Sequence, residues 1–260
     1  VLQPGVPGSW DDHHTCDPSV IEGNFTWKNT TYKYAMFFLS NMYGVYYNEI
    51  GVAFSNDLDA DSWVKYPQQI VKKTWSSEGD QEKGKLLLTY TVGDIGGTRI
   101  VWTEADFSNM DTYSISTPQT IVQTGLKAID NQSRDYTCNS EFAIDKDADK
   151  IVMIRPVQPM PNDYPNYLNS SLEIDYMNLS DFTNQRGNWT PIYRITPDDT
   201  GYPRNHNATL LRDNFGHLQD WEEPEFYFTV SKAAPDVQPS GSSHAEWTYH
   251  IWKSKVVKSK

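Results

Sequence analysis

Residues 32–38, Tyr-Lys-Tyr-Ala-Met-Phe-Phe, are the clearest guide to the fold of this chain. They are nearly continuously apolar or aromatic, which is typical of a strand buried on both faces. No long segment has the apolar spacing and the caps of an amphipathic helix, and Asn, Asp, Gly and Pro punctuate short runs throughout. The sequence therefore predicts an all-β protein. Similar buried strands recur at residues 85–90, 150–154 and 225–230.

Each of these segments is the middle strand of a repeating unit. A further strand follows each one, at residues 49–55, 99–103, 172–176 and 247–252. A preceding strand starts near Thr15, Thr74, Thr137 and Asn205, and Trp63 and Trp189 begin outer strands. One such unit cannot cover both of its faces, and radial stacking of several units gives a β-propeller. We predict a single β-propeller domain with four visible blade repeats, and a β-sandwich is the alternative. The repeats span roughly residues 12–67, 68–122, 131–196 and 200–258.

Composition excludes several classes of function. The chain has 260 residues, with 34 acidic against 22 basic side chains and a formal net charge of -12. Such a chain lacks the basic footprint of a nucleic-acid-binding protein and should be repelled by anionic lipid. No run of 18 apolar residues exists that could cross a membrane. Motifs for nucleotides, zinc or a serine nucleophile are absent, so neither nucleic acid nor a membrane is an expected partner.

The sequence favours an exported protein. Its first residues lack Met and a signal peptide, and they are interpreted as a mature or trimmed end. Two cysteines, Cys16 and Cys138, either form one disulfide or remain buried thiols. We predict a secreted or extracellular protein and leave open whether glycans are attached. Seven Asn-x-Ser/Thr sequons begin at Asn24, Asn29, Asn131, Asn169, Asn178, Asn188 and Asn207.

The first repeat carries a recognisable motif, Asp17-Pro18-Ser19-Val20, preceded by residues 10–16, Trp-Asp-Asp-His-His-Thr-Cys. Together with the strand pattern, this opening resembles the five-bladed β-propeller glycoside hydrolases, such as the family-43 arabinofuranosidases and xylosidases and their relatives. The resemblance covers most of the chain as a pattern, but only residues 17–20 as a specific motif. It implies a fifth blade and makes Asp17 the general base. The bland alternative for Asp17 is a residue that turns the chain ahead of Pro18.

The resemblance also implies a general acid, a Glu on an inner strand of a later blade, and Glu141 is its counterpart. Inner strands of a propeller start at one rim, so Asp17 and Glu141 are predicted to meet over a central pocket. Inverting hydrolysis needs such a pair roughly 6.5–9.5 Å apart. The alternative for Glu141 is a strand-end residue paired to an Arg such as Arg134 or Arg155. The family's third carboxylate has no Asp-Pro counterpart in the second repeat, where Ser76 lies near the key depth and Glu78, Asp80 or Asp135 would have to substitute.

Further side chains are candidates for binding a sugar. Asn139 aligns with Asp17, and His206 falls near the axis, where the resemblance implies support for substrate, water or a metal ion. No cofactor is required, although a structural calcium at the axis fits the resemblance. Each of these residues has an ordinary structural alternative in the core or in a strand. The remaining substrate-binding candidates are His14, Trp10 and Trp75.

We therefore predict a secreted, inverting glycoside hydrolase that cleaves pentose-type or related bonds of a polysaccharide. Asp17 would be the base and Glu141 the acid. The first alternative is a non-catalytic carbohydrate-binding propeller that uses the same pocket, which the missing Asp of the second repeat favours. A second alternative is a structural or protein-binding propeller without a sugar site, because one fold hosts many functions. Residues 145–149 resemble part of a calcium loop but lack its Gly and distal Glu, so they predict a hairpin turn.

Overall fold

The computed structural model describes residues 2–45, 47–74, 77–82, 85–94, 97–131, 139–157, 168–183, 188–232 and 250–257. Over these residues the regular structure is almost entirely β-strand. The two helices among them are short, α1 (Leu179–Thr183) and α2 (Pro197–Thr200). In this part of the chain, no helix has the length and apolar character needed to cross a bilayer.

The strands form four antiparallel sheets in chain order. Sheet 1 contains β1 (Cys16–Trp27), β2 (Thr30–Ser40), β3 (Asn48–Ser55), β4 (Val64–Lys65) and β5 (Val71–Thr74). Sheet 2 contains β6 (Ser77–Glu82), β7 (Lys85–Asp94), β8 (Gly97–Asp106), β9 (Ser114–Ile115) and β10 (Gln119–Val122). Sheet 3 contains β11 (Glu141–Asp145), β12 (Lys150–Val157), β13 (Ser171–Asn178) and β14 (Thr190–Ile195). Sheet 4 contains β15 (Arg204–Leu210), β16 (Glu225–Ser231) and β17 (His250–Lys255).

Each sheet is built around one of the buried strands that the sequence predicts. β2, β7, β12 and β16 each pair on both sides with antiparallel neighbours. The hairpin turn predicted at residues 145–149 connects β11 to β12. One boundary differs: Thr74, predicted near the start of the second repeat, lies in β5 and pairs with Asn48 of sheet 1. The first strand of sheet 2 begins at Ser77 instead.

The chain divides into two compact units. The first comprises Val1–Gln123 and Asn214–Gly216, and the second Thr124–Asp213 and His217–Lys260. Sheets 1 and 2 share the apolar core of the first unit, which includes Phe37, Phe54 and Leu88. Sheets 3 and 4 share the core of the second, which includes Ile154, Ile174 and Phe226. Burial of one sheet face against another is the reason a single repeat would not fold alone.

Candidate functional site

The first strands of sheets 1 and 4 carry the same irregularity. Along β1 the pairing moves from Cys16–Leu39 to Ser19–Phe37, so β1 has one residue more than β2 over this interval. β15 does the same, between the pairs His206–Thr229 and Thr209–Tyr227. Bulges of this kind bend a strand and redirect a side chain, and they are common beside active sites.

A residue with left-handed backbone lies at each bulge. Asp17 has φ of 48° and Asn207 has φ of 47°, so these two residues are structural equivalents. Asn139, two residues before β11, has φ of 50° and is the corresponding residue of sheet 3. Positive φ is uncommon outside glycine and often marks functional segments. Asn139 Nδ2 donates to Asn207 Oδ1 at 3.5 Å within the second unit.

Asp17 is the one residue of these three whose side chain can ionise. It is exposed at the surface, yet protein atoms crowd its carboxylate, and this partial loss of water raises the pKa of Asp17. The Cys16 thiol, whose Sγ lies 3.9 Å from Asp17 Oδ2, and the nearby His14 oppose the rise. A more basic carboxylate is a better proton acceptor, provided that it remains ionised at the working pH.

Cys16 is a protonated, free thiol. Burial, together with the adjacent Asp17 charge, raises the pKa of Cys16 to about 12. A thiol in this state is neither a nucleophile nor a metal ligand at neutral pH. Cys138, the partner of Cys16 in the disulfide that the sequence left open, lies outside the described residues.

Glu141 is buried, and its side chain connects sheet 3 to sheet 4. It lies opposite Ile154, whose side chain belongs to the core of the second unit, so Glu141 faces sheet 4. Arg212 Nη2 lies 3.0 Å from Glu141 Oε1, and the Leu210 amide donates to Oε2 at 2.5 Å. Both contacts use Glu141 as an acceptor, whereas a general acid must donate a proton.

The sequence-based alternative had named Arg134 or Arg155 as the partner of Glu141. Glu141 does pair with an Arg, but this is Arg212, whereas Arg134 lies outside the described residues and Arg155 pairs elsewhere. Arg155 binds two fully buried acids instead, with Nη2 2.8 Å from Glu173 Oε1 and Nε 2.8 Å from Asp175 Oδ2. Burial is the main cause that raises the pKa of both acids. Arg155 is thus held by Glu173 and Asp175, which repel each other and are both attracted to it, and it has no role at Glu141.

His206 is buried near the start of β15, one residue before the bulge. Burial lowers the pKa of His206 to about 4, so the ring is neutral at physiological pH. Its Nδ1 is hydrogen-bonded to Asn169 Oδ1, and its backbone carbonyl accepts from the Thr229 hydroxyl. The sequence singled out His206 but not Asn169, which appeared there only as a sequon.

Aromatic and imidazole rings surround the entry to β1 in the first unit. Trp10 stacks on Phe38, with ring centroids 5.9 Å apart. Trp10 therefore has a packing role in addition to its predicted contact with a ligand. The Ser40 hydroxyl donates to the backbone carbonyl of His14. His13 contacts the ring of Tyr43, which is 78% exposed and was missed from the sequence. The signal was available in the sequence, because residues 41–47, which follow β2, include three tyrosines.

Several predicted site residues stay untested. Trp75, Ser76 and Asp135 lie outside the described residues, and Glu78 and Asp80 are described only as backbone of β6. Asp17 belongs to the first unit and Glu141 to the second, so their meeting over one pocket stays a prediction.

The described part of the chain does not assemble a metal centre. It contains no group of three His, Cys, Asp or Glu side chains that could hold a metal ion. The neighbours of His206 supply amide and carbonyl groups rather than carboxylates. The structural calcium therefore stays a prediction from the resemblance, and no chemical step is derived from it.

One recess in the first unit has a volume of about 310 Å³. It lies between the N-terminal segment and the residues around β4, and none of the predicted site residues lines it. Its wall includes Leu2, Gln3, Pro4, Ala60, Asp61, Trp63 and Lys65.

Comparison with known proteins places the fold. No protein-family profile matches the chain, and no curated protein matches it either. Among solved structures it is similar to a thermostable family-43 glycoside hydrolase, with a TM-score of 0.56 and 13% identity over 96% of this chain and 74% of that one. The fold is a β-propeller.

Two further solved structures that resemble the chain differ in their described activity. One is a family 117 glycoside hydrolase from the marine bacterium Zobellia galactanivorans, with a TM-score of 0.53, 11% identity and coverage of 90% of this chain and 61% of that one. The other is an N-acetylgalactosamine deacetylase from F. plautii, with a TM-score of 0.56, 10% identity and coverage of 94% and 72%. At such identities the likeness shows the fold alone. The prediction of an all-β propeller and the resemblance to propeller glycoside hydrolases are confirmed, while a fifth blade stays an expectation.

Proposed function

We propose that this protein is a secreted, inverting glycoside hydrolase that cleaves pentose-type or related bonds of a polysaccharide. The observation that carries the proposal is Asp17. It lies on a left-handed bulge near the start of β1, it is the charged member of three equivalent residues, and crowding makes it more basic. The likeness to solved glycoside hydrolases supports the same reading.

In the proposed reaction, Asp17 takes a proton from a water molecule as that water attacks the anomeric carbon. The bond to the leaving oxygen breaks, and the acid Glu141 gives its proton to that oxygen. Asn139, His14 and His206 would hold hydroxyl groups, and Trp10 and Trp75 would contact the sugar face.

A second candidate function is carbohydrate binding without cleavage. The observation that favours it is the pair of contacts from Arg212 and the Leu210 amide, which occupy both oxygens of Glu141. To act as the acid, Glu141 would have to leave Arg212 and take up a proton. If it stays engaged, the amides of Asn139 and Asn207 would still bind hydroxyl groups.

The test is hydrolysis of aryl pentosides by the wild type, Asp17→Asn and Glu141→Gln. Loss of a general base costs about 10²–10⁴-fold in rate, so Asp17→Asn should lose at least about 100-fold. Asp147→Asn, in the exposed hairpin turn of sheet 3, is the matched control and should keep the wild-type rate. Equal rates for the wild type and Asp17→Asn would remove the proposed base. Sugar binding by an inert wild type would establish the second candidate.

A further inference from the structure

His206 and Asn169 form a buried pair whose geometry fixes where hydrogen atoms lie. Asn169 is fully buried, and 5% of the His206 surface is exposed. Asn169 Nδ2 donates to the carbonyls of Ser171, at 2.6 Å, and Asn205, at 2.7 Å. Because a carbonyl can only accept, these two bonds identify the nitrogen of the Asn169 amide.

The orientation of the amide then determines the tautomer of the imidazole. The Asn169 atom that faces His206 Nδ1 is the oxygen Oδ1, which has no hydrogen to donate. Nδ1 must therefore carry the hydrogen, and in a neutral ring Nε2 is left with a bare lone pair. The contacts of His206 with described residues involve Nδ1 and the backbone carbonyl, and none of them uses Nε2.

We propose that Asn169 is a positioning residue that holds His206 in the Nδ1–H tautomer, so that Nε2 accepts a hydrogen bond from a hydroxyl group of a bound neutral sugar. The assignment of the ligand rests on the proposed function, whereas the tautomer does not. The rule is the same as for histidines whose second nitrogen is fixed by a backbone or side-chain acceptor.

This arrangement selects the chemistry of the ligand. A lone pair attracts a hydroxyl donor and repels the oxygens of a carboxylate or sulfate. Burial leaves little water to screen that repulsion. The contact with Nε2 therefore favours a hydroxyl group over a carboxylate at this point of the ligand.

A second pair in the chain provides an internal control. His13 Nδ1 lies 3.0 Å from Asn41 Oδ1, and Asn41 Nδ2 donates to the Val45 carbonyl at 2.7 Å. The same reasoning assigns the Nδ1–H tautomer to His13. His13 is exposed, however, so its ring is in contact with water, whereas the ring of His206 is buried.

Nitrogen NMR of the intact protein tests the tautomer directly. The chain has six histidines, so ¹⁵N-histidine labelling gives a small spectrum, in which the signals that vanish in His206→Gln assign His206. The wild type at pH 7 should show a protonated Nδ1 and an unprotonated Nε2 for His206. Asn169→Leu should mix the tautomers of His206, and the control Asn41→Leu should change His13 alone. A wild-type His206 with its hydrogen on Nε2 would overturn the proposal without any variant.

Titration of the same sample with L-arabinose, D-xylose and D-glucuronate tests the ligand. The neutral sugars should shift the Nε2 resonance of His206, and glucuronate, whose carboxylate is repelled by the same lone pair, should shift it less. A larger shift with glucuronate, or sugar binding that leaves Nε2 unmoved, would overturn the acceptor role. If none of the sugars shifts any resonance, the proposed function and the ligand assignment fail together, while the tautomer result stands.

Discussion

Acid should destabilise this protein through His206 before most carboxylates are protonated. An unfolded-chain histidine has a pKa of about 6.5. Burial lowers the pKa of His206 in the folded protein to about 4. Between these values the unfolded chain binds a proton that the folded protein does not, so stability is lost as the pH falls. At about 1.4 kcal/mol per pH unit, the loss between pH 6.5 and pH 4 comes to about 3 kcal/mol.

Urea denaturation at pH 7, 6, 5 and 4 measures this loss, with the wild type compared with His206→Gln. The variant lacks the titrating ring, so its stability should fall by about 3 kcal/mol less than that of the wild type over this range. His217→Gln is the control, because His217 lies at a partly exposed site 3.5 Å from Asp213 and has no comparable burial. Parallel curves for the wild type and His206→Gln would refute the reasoning, since they would mean that His206 titrates alike in both states.

Three further perturbations test the packing and the buried charges. Gly51→Ala should lower stability by about 1–3 kcal/mol in thermal denaturation, because a Cβ there would lie 2.5 Å from the Phe38 ring and 2.6 Å from the Trp10 ring. An unchanged Tm would mean that neither ring is fixed in place. Arg212→Met should cost about 3 kcal/mol in urea by leaving Glu141 buried without its charge partner, and Glu141→Leu combined with Arg212→Leu should recover most of it. No recovery in the double variant would show that something other than the ion pair sets the cost. Burial raises the pKa of Asp175 above its unfolded value near 3.9, so the contribution of Asp175 to stability should decline as the pH rises from about 4. Asp175→Asn should remove that decline in urea denaturation. Identical pH dependence of stability in the wild type and the variant would contradict this prediction.

The fold could be predicted from the sequence where burial leaves a local signature. β12 and most of β2 and β7 are buried on both faces, and a strand in that position must be apolar whatever its neighbours are. β16 differs from the prediction, because its buried residues alternate with partly exposed ones and Tyr227 is 36% exposed. β5 could not be placed in the same way. The strand has only four residues, Val-Lys-Lys-Thr, of which three are polar, and only the register with β3 assigns it to sheet 1.

The candidate site could be predicted only in part. Asp17 carries a local motif, so its place near the start of the first strand of sheet 1 was foreseeable. Side chains alternate along a regular strand, so Glu141 and Asn139, two residues apart, would share a face if both lay in one such strand. The left-handed backbone of Asn139 breaks that regularity, and Glu141 turns toward Arg212, a partner that lies in another sheet. The sequence contains no local signal for the left-handed backbone of Asn139 or for the pairing of Glu141 with Arg212.

The burial of Asn169 has a consequence for biosynthesis. This residue opens the triplet Asn-Ser-Ser, which a eukaryotic oligosaccharyltransferase can modify while the chain is still being made. Its amide nitrogen is committed to two carbonyls in the finished protein, so a chain that received an oligosaccharide there would have no room to close around it. Asn29, at the exposed tip of the β1–β2 hairpin, carries no such penalty. In a eukaryotic host, the yield of mature protein would thus depend on the fraction of chains in which the enzyme leaves Asn169 unmodified.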